Sequence, residues 1–367
     1  MNRRQVLIGG GSVAALGAGA VWLGGRQMGS SQEYDEAVKA MRRRLSANPG
    51  APELIRYAAL AASGHNTQPW TFAIAPGEIA IRPDFNRRTP VVDPDDHHLF
   101  ASLGCAAGNL FVAAAARGQQ GELVFGDAAR EGEIRFIHQP APPRRSALFD
   151  AIPVRQSTRA EYDGRPVSAT DMAKLAAAAA VPGVDVVLID DRAQQDRIRD
   201  LVIAGNSVQM ADPAFLRELK AWLRFNPRHA LRSGDGLYSA ASGSPTLPDW
   251  LGPRAFDLFV TAESENDKYA RQLRSSAGVA VFVGERDDRE HWVRAGQSCQ
   301  RFALQATALG LKHAFVNQPV EVAELRPELA SLVGLPGRRP DIVMRFGYGP
   351  SLPYSPRRPV ESILLDA

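Results

Sequence analysis

The sequence predicts an α+β fold built from two repeated halves of one chain. Three observations carry this. Amphipathic helices alternate with short hairpin-like strands set off by turn residues. Two long helices share one glycine spacing, Gly104 to Gly118 and Gly296 to Gly310, fourteen residues in each. The polar motifs flanking these helices are divided between the halves, so that each half lacks what the other keeps. A chain of 367 residues with 45% hydrophobic content has enough apolar material for one large domain or two intimate ones.

The N-terminus is set apart from the fold. Arg3 and Arg4 precede an uncharged stretch, 5–25, and the first acidic residue is Glu33. A basic start, a mildly apolar core and no acids read as an export signal over residues 1–30 of the twin-arginine type. Ala18-Gly19-Ala20 offers a small-residue cleavage site. An uncharged run of about 20 residues is also long enough to anchor the chain in a bilayer. The protein is therefore expected to face the periplasm, free or anchored, after passing the twin-arginine translocase. Gly9-x-Gly11-x-x-Ala14 imitates a dinucleotide-binding turn, but no second strand precedes Glu33, so that reading fails.

In the first half, 34–140, helices are predicted over 34–45 and 52–62. A hairpin follows, 71–74 with 78–82, turning at Pro76-Gly77. An apolar helix over 97–117 is closed by Gly118, and strands over 122–125 and 133–137 complete the half. A proline-rich link leads to the second half, 150–367. There a helix over 169–180, strands over 184–189 and 279–283 and a helix over 291–309 recur in related order. Laid on one another, the long helices match Leu110 with Phe302, Val112 with Leu304 and Ala114 with Ala306. An insertion over 212–263 carries Trp222, a Gly/Ser-rich stretch and Pro248-Asp249-Trp250; it suits either a lid or a packing excursion.

Three motifs carry chemistry. Ser63-Gly64-His65-Asn66-Thr67-Gln68-Pro69-Trp70 leaves a helix and enters a strand, offering backbone N–H groups and an amide to a polar ring edge. Arg155-Gln156-Ser157-Thr158-Arg159, if extended, sets Arg155, Ser157 and Arg159 on one face, suited to a phosphate. Pro356-Arg357-Arg358-Pro359 precedes a strand-like run over 360–364. Each has a plain alternative: a capping loop, a solvated basic linker, a surface arginine pair.

Together these motifs resemble the nitroreductase superfamily, over roughly residues 50–367. Arg155-x-Ser157-x-Arg159 is similar to the family's opening segment, the Asn66 turn to its Pro-Ser-x-x-Asn-x-Gln-Pro-Trp turn, and Pro356 to Val360 to its terminal segment. Ordinary members pair two chains to make two sites. Here the motif losses are complementary, resembling the fused Acg-like branch, in which one chain imitates the homodimer. The resemblance implies FMN as cofactor, with Arg155, Gln156, Ser157, Arg159, Ser63, Gly64, Asn66, Arg357 and Arg358 contacting it. By position it adds Gln318 and Pro319. Ala62 replaces the usual proline and Gly64 a common serine.

The implied activity is two-step electron transfer from a small-molecule donor through the flavin to nitroaromatic or quinone-like acceptors. A non-catalytic flavin-sequestering protein with a lid over the FMN is the alternative. No side chain is assigned as catalytic. A monomer is expected, since one chain supplies both halves. Other classes are poorly supported. No basic run is interleaved with aromatics, so nucleic acid is not expected as a partner. Cys105 and Cys299 have no paired spacing, and adjacent His97 and His98 should diverge by about 100° on a helix, so no metal site is expected.

Overall fold

The computed structural model describes residues 28–126 and 132–365. The export signal and the Gly9 turn therefore rest on residues outside those described.

The first half comprises α1 (Ser31–Met41), α2 (Ala51–Ala58), β1 (Trp70–Ala75), β2 (Glu78–Pro83), α3 (His97–Ala116), β3 (Gln119–Phe125) and β4 (Ile134–Pro140). The second runs through α4 (Ala169–Ala179), β5 (Val184–Ile189) and α5 (Arg192–Ala211). It continues with α6 (Pro213–Trp222), α7 (Pro227–Ser233), α8 (Gly252–Phe259) and α9 (Ala262–Arg274). It closes with β6 (Gly278–Gly284), α10 (Arg289–Ala308), β7 (Lys312–Phe315), α11 (Gln318–Glu321) and β8 (Pro340–Gly347). Each half holds a four-stranded antiparallel sheet, in the orders β1-β2-β4-β3 and β5-β6-β8-β7. Matching β1 with β5, β2 with β6, β3 with β7 and β4 with β8 makes the two orders the same.

The repeat is clearest in the long helices. α3 and α10 are both 20 residues long and related by a shift of 192 (289 less 97). They pack against each other at the centre, and both are largely buried. α3 is apolar and long enough to cross a membrane, yet it is enclosed by the protein. The same shift relates Asn109, whose Nδ2 donates to the Tyr57 carbonyl at the end of α2 (3.0 Å), to Arg301, whose Nε donates to the Ala178 carbonyl at the end of α4 (2.6 Å). Each long helix thus donates to a carbonyl in the last turn of the short helix before it.

The halves differ where the hairpin would close. β1 and β2 are joined by a turn at Gly77, φ +72°. Their counterparts β5 and β6 are joined by residues 190–277, a helical excursion that begins well before residue 212. Two expected elements also differ. Val360–Ser362 form a 3₁₀ turn, and of the expected strand only Leu364 bridges to β1, beside Phe72. α2 stops at Ala58, and the carbonyls of Ala59, Leu60 and Ala61 beyond its end are taken by arginine side chains described below.

Candidate active site

The turn after α2 holds three non-glycine residues in the left-handed region: His65 (φ 46°), Asn66 (φ 54°) and Gln68 (φ 52°). Such conformations cost of order 1–3 kcal/mol each and persist only where the surroundings over-determine them. Here two other segments do so. Asn66 Nδ2 donates to the carbonyls of Gly236 (3.0 Å) and Pro356 (3.2 Å), and its Oδ1 accepts from Arg357 (2.9 Å). Gln68 Nε2 donates to Gly234 (2.9 Å), and its Oε1 accepts from the Arg358 amide (2.9 Å). The excursion and the C-terminal arm therefore clamp the turn. Asn66 lines a cavity, but its amide is committed to this clamp rather than open to a ligand edge.

Four arginines converge behind the turn. Arg357 donates from Nε to Ala59 (3.0 Å) and from Nη2 to Leu60 (3.2 Å) and Ala61 (3.0 Å). Arg155 Nη2 donates to Leu60 (2.9 Å), while its buried Nε has no partner. Arg42 donates to the carbonyls of Pro153 (3.0 Å) and Arg155 (3.2 Å) and lies over the Tyr354 ring. The Arg159 guanidinium has no protein hydrogen bond among the described residues. No carboxylate there lies within ion-pair distance of any of the four.

With Ser63, Asn66, Gln156 and Ser157 these arginines line a polar recess of about 40 Å³. Burial pushes all four guanidiniums below their usual range, Arg42 to about 9, and Arg357 is lowered further by Arg42 and Arg155. Buried cations without a carboxylate partner cost several kcal/mol each, a cost that an anion in the recess would offset.

The recess adjoins a chamber of about 520 Å³, sharing Ala62, Ser63, Arg159, Leu237 and Phe315 with it. The chamber floor comes from both halves: Ser63, Gly64, His65, His98, Arg159, Asn317 and Gln318. Its roof comes from the excursion, which supplies Phe215, Leu219, Phe225, Leu247, Phe256 and Phe259 together with polar residues such as Asn206, Gln209, Glu265 and Lys268. Gln318 Oε1 is buried without a partner.

The expected site residues separate in the structure. Arg155, Ser157, Arg159, Ser63, Asn66 and Arg357 meet at the recess, and Gly64 and Gln318 at the chamber. Gln156 also borders the recess, but its amide is tied to the backbone of Leu352. Arg358 points away, donating to Gln68 O (3.1 Å), Trp70 O (3.4 Å) and Ser362 O (2.9 Å). Pro319 is buried in α11 outside both cavities.

The expected divergence of His97 and His98 is corrected. Their rings lie 4.7 Å apart, and with Asp93 they place one ligand atom each within 4.8 Å of one another. Long rings on adjacent helical residues can still approach at their edges, and the left-handed turn at Asp96, φ 63°, brings Asp93 back to the start of α3. One nitrogen of each ring already has a partner, His97 Nε2 with Asp341 (2.8 Å) and His98 Nε2 with Asn317 Nδ2 (3.3 Å), whereas His97 Nδ1 is buried without one. Asp93 accepts from the amides of His98 and Leu99.

Residues that motif reading missed are Arg42, His65, His98 and Glu321. Burial lowers His65 and His98 to about 4, and raises Glu321, whose carboxylate accepts from Gln209 (2.6 Å). The Arg42-Arg43-Arg44 run was a visible signal, but nothing in it singled out Arg42.

Residues 152–349 match the Nitroreductase family. A Mycobacterium tuberculosis H37Rv protein named "Putative NAD(P)H nitroreductase Rv3131" is 30% identical over 325 residues, 85% of this chain and 90% of that protein. The chain belongs to the nitroreductase family. The protein named "Putative NAD(P)H nitroreductase acg" from the same strain is 22% identical over 331 residues, 84% of this chain and 93% of its own. That both relatives are covered almost end to end fits a fused two-half arrangement. Among solved structures, a nitroreductase with bound FMN from Desulfitobacterium hafniense is 14% identical, covering 61% of this chain and 100% of its own at a TM-score of 0.38. One from Bacteroides fragilis, also with bound FMN, is 16% identical, covering 56% and 90% at a TM-score of 0.36. In this family member the recess and chamber form one continuous site between the halves.

Proposed function

We propose that this nitroreductase-family protein is an FMN-dependent oxidoreductase, exported as a monomer through the twin-arginine pathway and working in the periplasm, free or membrane-anchored. The observation that carries the cofactor is the recess: buried arginines without carboxylate partners, opening onto a chamber large enough for an aromatic ring system. Arg155, Arg159 and Arg357, with Ser157, would hold the phosphate. Ser63, Gly64 and Gln318 would border the ring. Bound there, FMN would supply reversible two-electron transfer between a small-molecule donor and a nitroaromatic or quinone-like acceptor, each entering in turn.

The chain's own groups support this chemistry in specific ways. The guanidiniums offset the phosphate charge that burial would otherwise penalise. The phenylalanines and leucines of the roof, Phe215, Leu219, Phe225, Leu247, Phe256 and Phe259, would limit water at the reacting face. His65 and His98 are neutral at pH 7, so they can donate one N–H without adding charge to the floor. Because the excursion roofs the chamber, flavin storage without turnover uses the same contacts.

Absorbance of protein folded in the cytoplasm tests the reading directly. One flavin per chain that bleaches on anaerobic NADPH supports a reductase. Flavin that stays oxidised favours storage or another donor. Protein without flavin overturns the proposal. Arg159→Gln should lower flavin content at least several-fold.

A further inference from the structure

Asp93, His97 and His98 bring one ligand atom each to within 4.8 Å of one another at the start of α3. Asp93 and His97 are buried, at 3% and 0% exposure, and His98 lines the chamber. Asp93 is fixed by the amides it accepts, that of His98 at Oδ1 (2.9 Å) and that of Leu99 at Oδ2 (2.9 Å). Its Oδ1 also stands 3.7 Å from His98 Nδ1. A helix-capping acid accounts for those contacts. It does not account for His97.

His97 is held through one nitrogen only. Nε2 meets Asp341 Oδ1 (2.8 Å), and the other oxygen of Asp341 accepts the Gly284 amide. Nδ1 is buried and has no partner, where a buried ring nitrogen is ordinarily hydrogen-bonded. An imidazole that turns one nitrogen to a carboxylate and keeps the other bare has the form of a metal ligand with its orienting acid. The acid fixes the ring and raises the basicity of the far nitrogen. Asp341 comes from β8 in the other half, so it is no part of the capping turn.

We propose that Asp93, His97 and His98 bind one divalent transition-metal ion, with Zn²⁺ the closest fit. Two imidazoles and a carboxylate are donors that such ions take, whereas Mg²⁺ and Ca²⁺ call for oxygen. His97 binds through Nδ1, and His98 through Nδ1, the nitrogen that faces Asp93. His98 then carries its ring proton on Nε2 and gives up the contact from Asn317, at 3.3 Å the longest in the cluster. Tetrahedral zinc sets its ligand atoms roughly 3.4 Å apart, so the widest pair closes by a little over about 1 Å. Three protein ligands leave a fourth position open. No arginine of the recess takes part, so the inference is independent of flavin.

The test is calorimetric titration of Zn²⁺ into the full-length protein after EDTA treatment, at about pH 7.5, where imidazole is neutral. One ion per chain should bind at micromolar concentration or below and raise the melting temperature by several degrees, and Mg²⁺ should do neither. Asp341→Asn keeps an oxygen for the ring but loses the charge, and should weaken binding by about 10–100-fold. His98→Gln removes a ligand at the loss of one long hydrogen bond, so it should melt cooperatively without metal and weaken binding further. No saturable binding at about 100 µM Zn²⁺ overturns the proposal and leaves the His97 nitrogen to a buried water. Binding that is unchanged in both variants also overturns it, and places the ion elsewhere, at the thiols of Cys105 and Cys299 or on the surface.

Discussion

Gly104 lies against the carbonyl oxygen of Val293, and Gly296 lies in the same way against that of Ala101. Both pairs are related by the shift of 192 that superposes α3 on α10, so the contact is self-complementary, as at a two-fold dimer interface. A methyl group on either glycine would overlap backbone, not a side chain that could turn aside.

Gly104→Ala and Gly296→Ala should therefore each destabilise the protein by roughly 2–3 kcal/mol or more, as overpacking does where backbone must shift. Gly50→Ala is the control. Gly50 has φ −69° and an added Cβ would stand 3.6 Å from Pro52 Cδ. Urea unfolding should show a lower midpoint for the first two and little change for the third. Equal midpoints for all three would mean that the helices do not meet as described.

Asn66 should matter more for the shape of its turn than for direct ligand contact. Asn66→Ala leaves the Gly236 and Pro356 carbonyls and one Arg357 N–H without that partner, for a loss of about 2–4 kcal/mol. Asn66→Gly relaxes the left-handed backbone but breaks the same clamp, so it should be nearly as unstable. If Asn66→Gly were as stable as the parent, backbone strain and not the amide would be what the side chain manages.

Inorganic phosphate should stabilise flavin-free protein, raising the melting temperature by several degrees once its concentration greatly exceeds its dissociation constant. Arg159→Gln should abolish the shift without lowering the melting temperature in the absence of phosphate, because Arg159 supports no backbone group. Chloride at matched ionic strength should not reproduce it.

His65 should make stability depend on pH on the acid side. Burial, with Arg159 and His98, lowers its pKa from 6.5 to about 4. Between these values the unfolded chain binds a proton that the folded chain does not, so stability falls as pH drops from about 6.5 to about 4. His65→Gln should make that fall shallower, by up to one proton in the slope of unfolding free energy against pH. Asp341, pushed up to about 7 by burial, acts with the opposite sign, so the comparison must be made on the single variant.

Much of the fold was legible because it repeats. The glycine spacing of the long helices reports a close backbone crossing, and helical periodicity placed both helices to within two residues of their ends. The site was legible in part. Arg155, Ser157, Arg159 and Arg357 stand at one recess, but local spacing could not show that Asn66, Gln156 and Arg358 spend their polar atoms on other segments. Those partners lie 170 to 290 residues away. His98 was set aside because ideal helix geometry separates adjacent side chains. Rings on adjacent helical residues still approach at their edges, and the left-handed turn at Asp96 that brings Asp93 to them has no mark in the sequence.

The sequence by itself determined the two-half plan, the split of motifs between the halves and the positive character of the site, because periodicity and residue type are local properties. Tertiary structure decided which arginines face the recess and which tie down backbone. It also decided that residues 190–277 roof the chamber, with apolar and polar side chains together. Hydrogen-bond partners and cavity walls are set by which distant segments come together, and burial lets few of those groups remain unpaired.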